Sequence, residues 1–319
     1  MDFKQKIGCS SLQEPRINIP ADLPAEFLAY KSDLEECTIE SGKKGILQLE
    51  LEEDVRIKKT VIKKHYAKVP LFIQRALYLE ESIPSMAYIY VISPSGGILQ
   101  GDRYTIGIKL SNNAQANITT QGATRIYKME KDYATQMIDI VVEEGCYCEY
   151  IPDQIIPYTN SRFYQLTNLK VHENATMIYS EILVPGRVAS GEKFEYDICY
   201  IKTVATNHAV KLRFIDVLKL MPKKDNFKAR GIMENFSILG NVYILAKVEH
   251  AKYLKEEINS FVNNIRKIQG GASTLPDRHG VAVRLLGNTT EHVKEVVYEI
   301  LNISRRTILG GSFSKMRKS

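Results

Sequence analysis

Apolar side chains return at every second position in segment after segment of this chain. Leu47, Leu49 and Leu51 are separated by Gln48 and Glu50. Ile138, Ile140 and Val142 leave Asp139 on the other face, and Phe194, Tyr196, Ile198 and Tyr200 are separated by Glu195, Asp197 and Cys199. Successive side chains point to opposite faces only along an extended backbone, so this period predicts strands with one apolar face. Turn signals such as SNNA at 111–114 fall between such segments and predict a chain of antiparallel strands. Tyr is abundant, at 18 residues, and Trp is absent; Tyr suits half-buried strand faces.

Two C-terminal segments follow a different period. Leu254, Ile258, Phe261, Val262 and Ile265 recur in helical steps, as do Val293, Val296, Val297, Ile300 and Leu301, which predicts two one-sided helices. Asn288, with Glu291 three residues later, is the expected N-cap of the second. GVAVRLLG, between the two helices, reads as a strand. The expected fold is therefore mainly β, with two helices near the C-terminus, and a stacked-sheet or solenoid-like body is compatible with it. Residues 1–44 carry Pro15, Pro20 and Pro24, little periodicity and many charges, and are expected to be a partly ordered N-terminal extension. Residues 45–319 are expected to form a single domain.

Charge and cysteine usage narrow the function classes. Against 43 Lys and Arg stand 37 Asp and Glu, a net charge of +6. No basic stripe with interleaved aromatics appears, which argues against nucleic acid as a partner. Lys58, Lys59, Lys63 and Lys64 form the densest basic cluster and read as a solvated strand face. The start, MDFKQKIGCSSLQEPR, lacks the apolar core of a signal peptide, and no apolar run is long enough for a membrane span. Five scattered cysteines do not resemble a secreted disulfide framework. A cytoplasmic protein with no membrane partner is expected.

The stretch SPSGGILQGD, Ser93 to Asp102, puts three glycines, a proline and a carboxylate between two strand-like segments, AYIYVI and YTIGIKL. Gly96 and Gly101 fit half of a phosphate loop, but such a loop continues with Lys and Ser or Thr into a helix. Here Asp102 and Arg103 follow, and Asp102 would repel a phosphate. No catalytic apparatus stands out elsewhere. The six histidines, His65, His172, His208, His250, His279 and His292, form no zinc spacing, and no G-x-S-x-G elbow occurs. Cys146 and Cys148 flank Tyr147, so on a strand both thiols share a face. That pair has the chemistry for a soft metal ion, but free cysteines more often pack as small buried hydrophobes. No tight metal site is expected. Asp102, Asp153 and Glu181 each sit beside loop-like or apolar stretches, where lone carboxylates usually make turn or backbone hydrogen bonds.

Several blocks, in order, resemble the urease accessory protein UreD family, called UreH in some bacteria. SPSGGILQGDRYTIGIKL followed by ITTQGATRIYKM is similar to the family's signature, carried here by Gly96, Gly97, Gly101, Asp102 and Gly122. YIPDQIIPYTNSRF, EILVPGRVASGEKF (with Arg187, Gly191 and Glu192) and the strand and helix from His279 to Arg306 agree with later family blocks. The similarity covers about residues 45–310. Ser93-Pro94-Ser95 stands where the family usually has His-Pro-Pro, Gln100 where a Gly is common, and Arg125 where Lys is usual.

The resemblance implies a β-rich, elongated fold with two helices and a scaffold rather than an enzyme. It implies binding of apo-urease and of accessory proteins F and G, with GTP held by the G partner. It also implies delivery of nickel to urease, with nickel only transient on this chain and no tightly bound cofactor. An internal passage for the ion is proposed for the family. By motif alignment Asp102, Thr124 and Glu181 are the candidates to line it, and Asp102 would offer oxygen to a divalent ion. Two other classes stay open on the residues alone: a hydrolase using Asp102 and Asp153, and a generic β-rich ligand-binding module.

Overall fold

The computed structural model describes residues 23–30, 42–227, 229 and 231–311. Most of the expected extension over residues 1–44 therefore lies outside the described residues. The alternating segments form two sheets. One has seven strands: β1 (Lys44–Asp54), β2 (Lys59–Lys68), β5 (Arg103–Ser111), β8 (Ala134–Val142), β11 (Arg162–Val171), β13 (Ile198–Thr206) and β14 (Leu212–Leu220), in the order β14-β13-β11-β8-β5-β1-β2. The other has ten. Its main path uses β3 (Phe72–Ile73), β4 (Ala87–Ile92), β6 (Gln115–Thr120), β9 (Tyr147–Tyr150), β12 (Thr176–Leu183), β15 (Ile238–Leu245), β16 (Ile268–Thr274) and β17 (Gly280–Gly287), in the order β16-β17-β15-β12-β9-β6-β4-β3. Off that path, β10 (Ile155–Pro157) pairs with β12 and with β7 (Thr124–Ile126).

The body is mainly β and solenoid-like, as expected, but the strands of its coil stack are parallel, not antiparallel, neighbours. From β4 to β13 the long strands alternate between the sheets, and each coil stacks parallel on the one before. In the first sheet β1, β5, β8, β11 and β13 run parallel in turn. In the second, β4, β6, β9 and β12 do the same. A parallel pair cannot be joined by a tight hairpin, and here the return path is a strand of the opposite sheet. The SNNA turn thus carries the chain from β5 across to β6, with Asn112 and Asn113 both left-handed at φ 52° and 57°. Period two fixes which face a residue occupies and says nothing of strand direction. Antiparallel pairing is confined to the ends of the coil stack, as in β1–β2, β13–β14 and the β12-β15-β17-β16 run.

Three apolar layers follow. The main core lies between the sheets and takes Leu47, Ile106, Ile140, Phe163, Met177 and Tyr243 among others. The second lies between the ten-stranded sheet and two helices, α2 (Val248–Asn263) and α3 (Thr290–Leu309). Both expected apolar stripes face it, except that Ile265 falls just beyond α2. The N-cap of α3 is Thr289, not Asn288: the Thr289 hydroxyl accepts from the His292 amide at 3.4 Å, while Asn288 accepts from Ser237. A third, small cluster sits on the outer face of the seven-stranded sheet, where the one-turn helix α1 (Ala25–Leu28) seats Phe27 against Tyr133 and Tyr164.

β9 and β12 are buried at every position because both of their faces are covered. On the helix side of β9 stands Glu149, and the guanidinium of Arg305 on α3 reaches it through two nitrogens, at 2.7 and 2.6 Å. Neither residue has any exposed surface. Tyr88 and Tyr147 complete the cluster, the Tyr88 hydroxyl accepting from Arg305 at 2.9 Å and Tyr147 donating to Glu149 at 2.8 Å. Removing one member of a buried pair strands the other charge. Arg305→Met alone is expected to lower unfolding free energy by about 3–5 kcal/mol, whereas Glu149→Leu with Arg305→Met should recover part of that loss, the remainder lying with buried Glu80, which also pairs with Arg305. Urea denaturation of both variants checks this; equal destabilisation of the two would contradict it.

Candidate functional site

The glycine-rich loop from Ser93 to Asp102 carries the chain from β4 in one sheet to β5 in the other. It packs backbone against backbone on the TQGATRIY segment. Ile98 donates its amide to Arg125 O at 2.8 Å, and Tyr127 donates to Ile98 O at 2.9 Å. A Cβ on Gly97 would come within 2.6 Å of the Arg125 carbonyl oxygen and of the Tyr127 ring. Gly101, at φ 78°, is crossed by Gly42, whose Cβ would stand 2.1 Å from the Gly101 oxygen. Gln100 Oε1 accepts the amides of Glu130 and Lys131 at 2.7 and 2.8 Å, and Arg125 donates to the Gly96 oxygen at 3.4 Å. Two of the three departures from the family pattern, Gln100 and Arg125, thus have contacts of their own.

Asp102 is 1% exposed and its carboxylate is fully engaged. It accepts from the Lys43 amide at 2.7 Å, the Leu99 amide at 2.9 Å and the Tyr104 hydroxyl at 3.0 Å. The residue therefore closes the loop on itself and fastens the chain entering β1. Asp102→Ala leaves three donors without an acceptor and is expected to cost roughly 3 kcal/mol, and Asp102→Asn, which keeps one acceptor oxygen, about 1 kcal/mol. Thermal and urea unfolding of the two variants decide the ranking, which a purely charge-based role for Asp102 would level, since both variants remove the charge.

Beside the loop is a cavity of about 190 Å³, lined by Gly96, Gly97, Tyr104, Gly122, Thr124 and Gln136 among others. Asp102 and Gly101 do not line it; Asp102 reaches it only through Tyr104. A smaller space of about 10 Å³ shares Thr124 and Gln136 with the first and continues to Gln165, Tyr179 and Glu181. From there a file of polar side chains runs between the sheets, across the strands. Glu181, Asn241 and Arg284 are register neighbours on β12, β15 and β17. Opposite them Thr167, Thr203 and Asp216 are register neighbours on β11, β13 and β14. Glu181 accepts from Tyr179 at 2.6 Å, Thr203 at 3.2 Å, Gln165 at 3.4 Å and Asn241 at 3.5 Å. The stacked rings of Tyr150, Tyr179 and Tyr243 flank the file.

Burial pushes the Glu181 carboxyl above its ordinary value, and the hydrogen bonds from Tyr179, Asn241 and Thr203 oppose this only in part. Below that ordinary value, 4.5, folded and unfolded chains both hold the proton. As pH rises past it the unfolded chain releases the proton first, so the folded state loses relative stability. The Tm of the native chain, relative to Glu181→Gln, is expected to fall between pH 4 and pH 7. A Tm difference independent of pH would refute the assignment.

The remaining sequence candidates are placed elsewhere. Arg187 and Glu192 pair with each other around Gly191, which is left-handed at φ 82°, and Arg187 stacks 4.4 Å over Tyr158. They line neither cavity. Asp153 is ion-paired with Lys294. Cys146 and Cys148 point into the main core, where burial pushes the Cys146 thiol up to about 11 and Cys148 well above its ordinary value. Such thiols are poor thiolate donors, and among the described residues no group of three or more His, Cys, Asp or Glu is placed to hold a metal ion. Gln136, Gln165, Asn241, Asp216 and Arg284 were not singled out in the sequence. Their signal is a polar residue in the inward phase of an apolar strand, as with Gln165 two positions from Phe163.

Residues 43–319 match the family model described as UreD urease accessory protein. The chain is 39% identical over 278 residues to the urease accessory protein UreD of Cenarchaeum symbiosum, covering 87% of this chain and 97% of that one. It is 37% identical over 290 residues to urease accessory protein UreD 2 of Brucella suis, covering 90% and 95%. With the UreD of Yersinia pseudotuberculosis it shares 36% identity over 271 residues, 84% of each chain. No helix among the described residues is long and apolar enough to cross a membrane.

Proposed function

Because the chain belongs to the UreD urease accessory protein family, we propose that it is a scaffold of urease maturation that passes nickel, as cargo, through the space between its two sheets. Its partners are apo-urease and accessory proteins F and G in the cytoplasm, with GTP bound by G. The relatives are named accessory proteins, which supports a scaffold over an enzyme. The observation that carries the passage is the polar file from the cavity at Thr124 and Gln136, past Glu181, to Arg284 and Asp216. A sandwich core has no need of inward carboxylates and amides, since each must be desolvated and repaid by hydrogen bonds.

The donor set suits transit. Amide, hydroxyl and carboxylate oxygens are hard ligands, and nickel, a borderline ion, binds them more weakly than thiolate or imidazole. The ion therefore passes without being trapped. Thr124 and Glu181 line the route, and Asp102 shapes its mouth by holding Tyr104 and the glycine loop. The alternative hydrolase finds less support, since the carboxylates of Asp102 and Asp153 are each committed to other partners.

Glu181→Gln should leave the complex with F, G and urease intact and lower nickel per urease site about tenfold. Asp102→Asn, by contrast, should load urease nearly as the native chain does. Nickel content of purified urease, alongside recovery of the complex, is the measurement. Full loading with Glu181→Gln would end the passage reading.

A further inference from the structure

The polar file ends on a residue that a cation route would be expected to exclude. Arg284 is a cationic side chain, and its guanidinium lies across the oxygens beyond Glu181. It donates to Asn241 Oδ1 at 2.9 Å and to the Asp216 carboxylate, which the Tyr243 hydroxyl also contacts. Asn241 in turn donates to Glu181 at 3.5 Å. Arg284 thus occupies the Asn241 oxygen and the Asp216 carboxylate, the acceptors of the file beyond Glu181. A divalent ion advancing from Glu181 meets a like charge there, and finds these oxygens already engaged.

The seat is also one that Arg284 can leave. Its side chain is 50% exposed, whereas Asp216 beside it is 18% exposed. The long stem can rotate the guanidinium into water without unpacking the core. We propose that Arg284 is a charge gate on the file. Seated, it keeps a divalent cation out of the far end; swung into solvent, it frees Asp216 and the Asn241 oxygen as ligands for the ion. This rests on the passage reading and adds to it a residue that decides when the file is open. A plain structural bridge between β14 and β17 would need the same contacts but would not govern metal binding.

The test is equilibrium dialysis of the untagged full chain against nickel ion alone. Arg284→Met, which keeps the stem and removes the charge, is expected to bind nickel about tenfold more tightly than the native chain. Arg284→Lys keeps the charge and should bind as the native chain does. The gain should vanish in the Glu181→Gln, Arg284→Met double variant, because the ion sits in the file. No gain in a folded Arg284→Met protein, an equal gain with Lys, or a gain that survives Glu181→Gln would each overturn the gate. Arg284→Gln serves in place of the Met variant if that chain does not fold. The passage reading is judged separately, by nickel per urease site with Glu181→Gln alone. Loss of nickel there, with no tightening in Arg284→Met, would remove the gate and leave the passage.

Discussion

Glu149 and Arg305 meet with no surface exposed to water, one on a strand of the coil stack and the other near the end of α3. A guanidinium in such a place is tolerable only with its charge matched and its nitrogens bonded. Glu149, Tyr88 and the nearby Glu80 meet that requirement. The pairing therefore fixes where α3 lies on the ten-stranded sheet. That position covers the outer face of β9 and β12, while the seven-stranded sheet covers the inner face of β12 and holds Glu181 away from solvent.

The interior that results is not uniformly apolar. Around Leu, Ile and Tyr packing runs a row of amides, hydroxyls and two carboxylates, each with partners across or along the sheets. Burying such groups brings little net stability even when every bond is made. Their continuity from the cavity to the surface at Arg284 is what gives them meaning. Strand pairing makes the continuity possible: the parallel β11–β13 pair and the antiparallel β13–β14, β12–β15 and β15–β17 pairs bring inward positions into register, so a single polar row crosses several strands.

The glycine loop belongs to the same logic. It spans the two sheets at the mouth of the cavity, and its backbone lies so close to Arg125, Tyr127 and Gly42 that side chains at Gly97 and at the Gly42 crossing have no room. Asp102 is retained there as an acceptor for two amides and a tyrosine, a task that needs a buried carboxylate whether or not an ion passes nearby.

Much of this was legible in the residues. Period-two segments such as Leu47–Leu51 and helical stripes such as Val293–Leu301 fixed the element types and their buried faces, since local geometry alone sets the side-chain period. The ordered motifs around Gly96, Gly122 and Arg187 pointed to the family. Strand direction was not legible, because alternation is the same in parallel and antiparallel strands and the partner lies tens of residues away. Nor was the polar file. Gln165, Asn241 and Arg284 each look like isolated interruptions of an apolar face, and Arg305 hides in the stripe of Val297 and Leu301. Only the tertiary structure sets Glu181 beside Asn241, through the antiparallel β12–β15 register, and Arg284 beside Asp216, across the two sheets, because register between distant strands is decided by how the whole interior packs and not by any local preference.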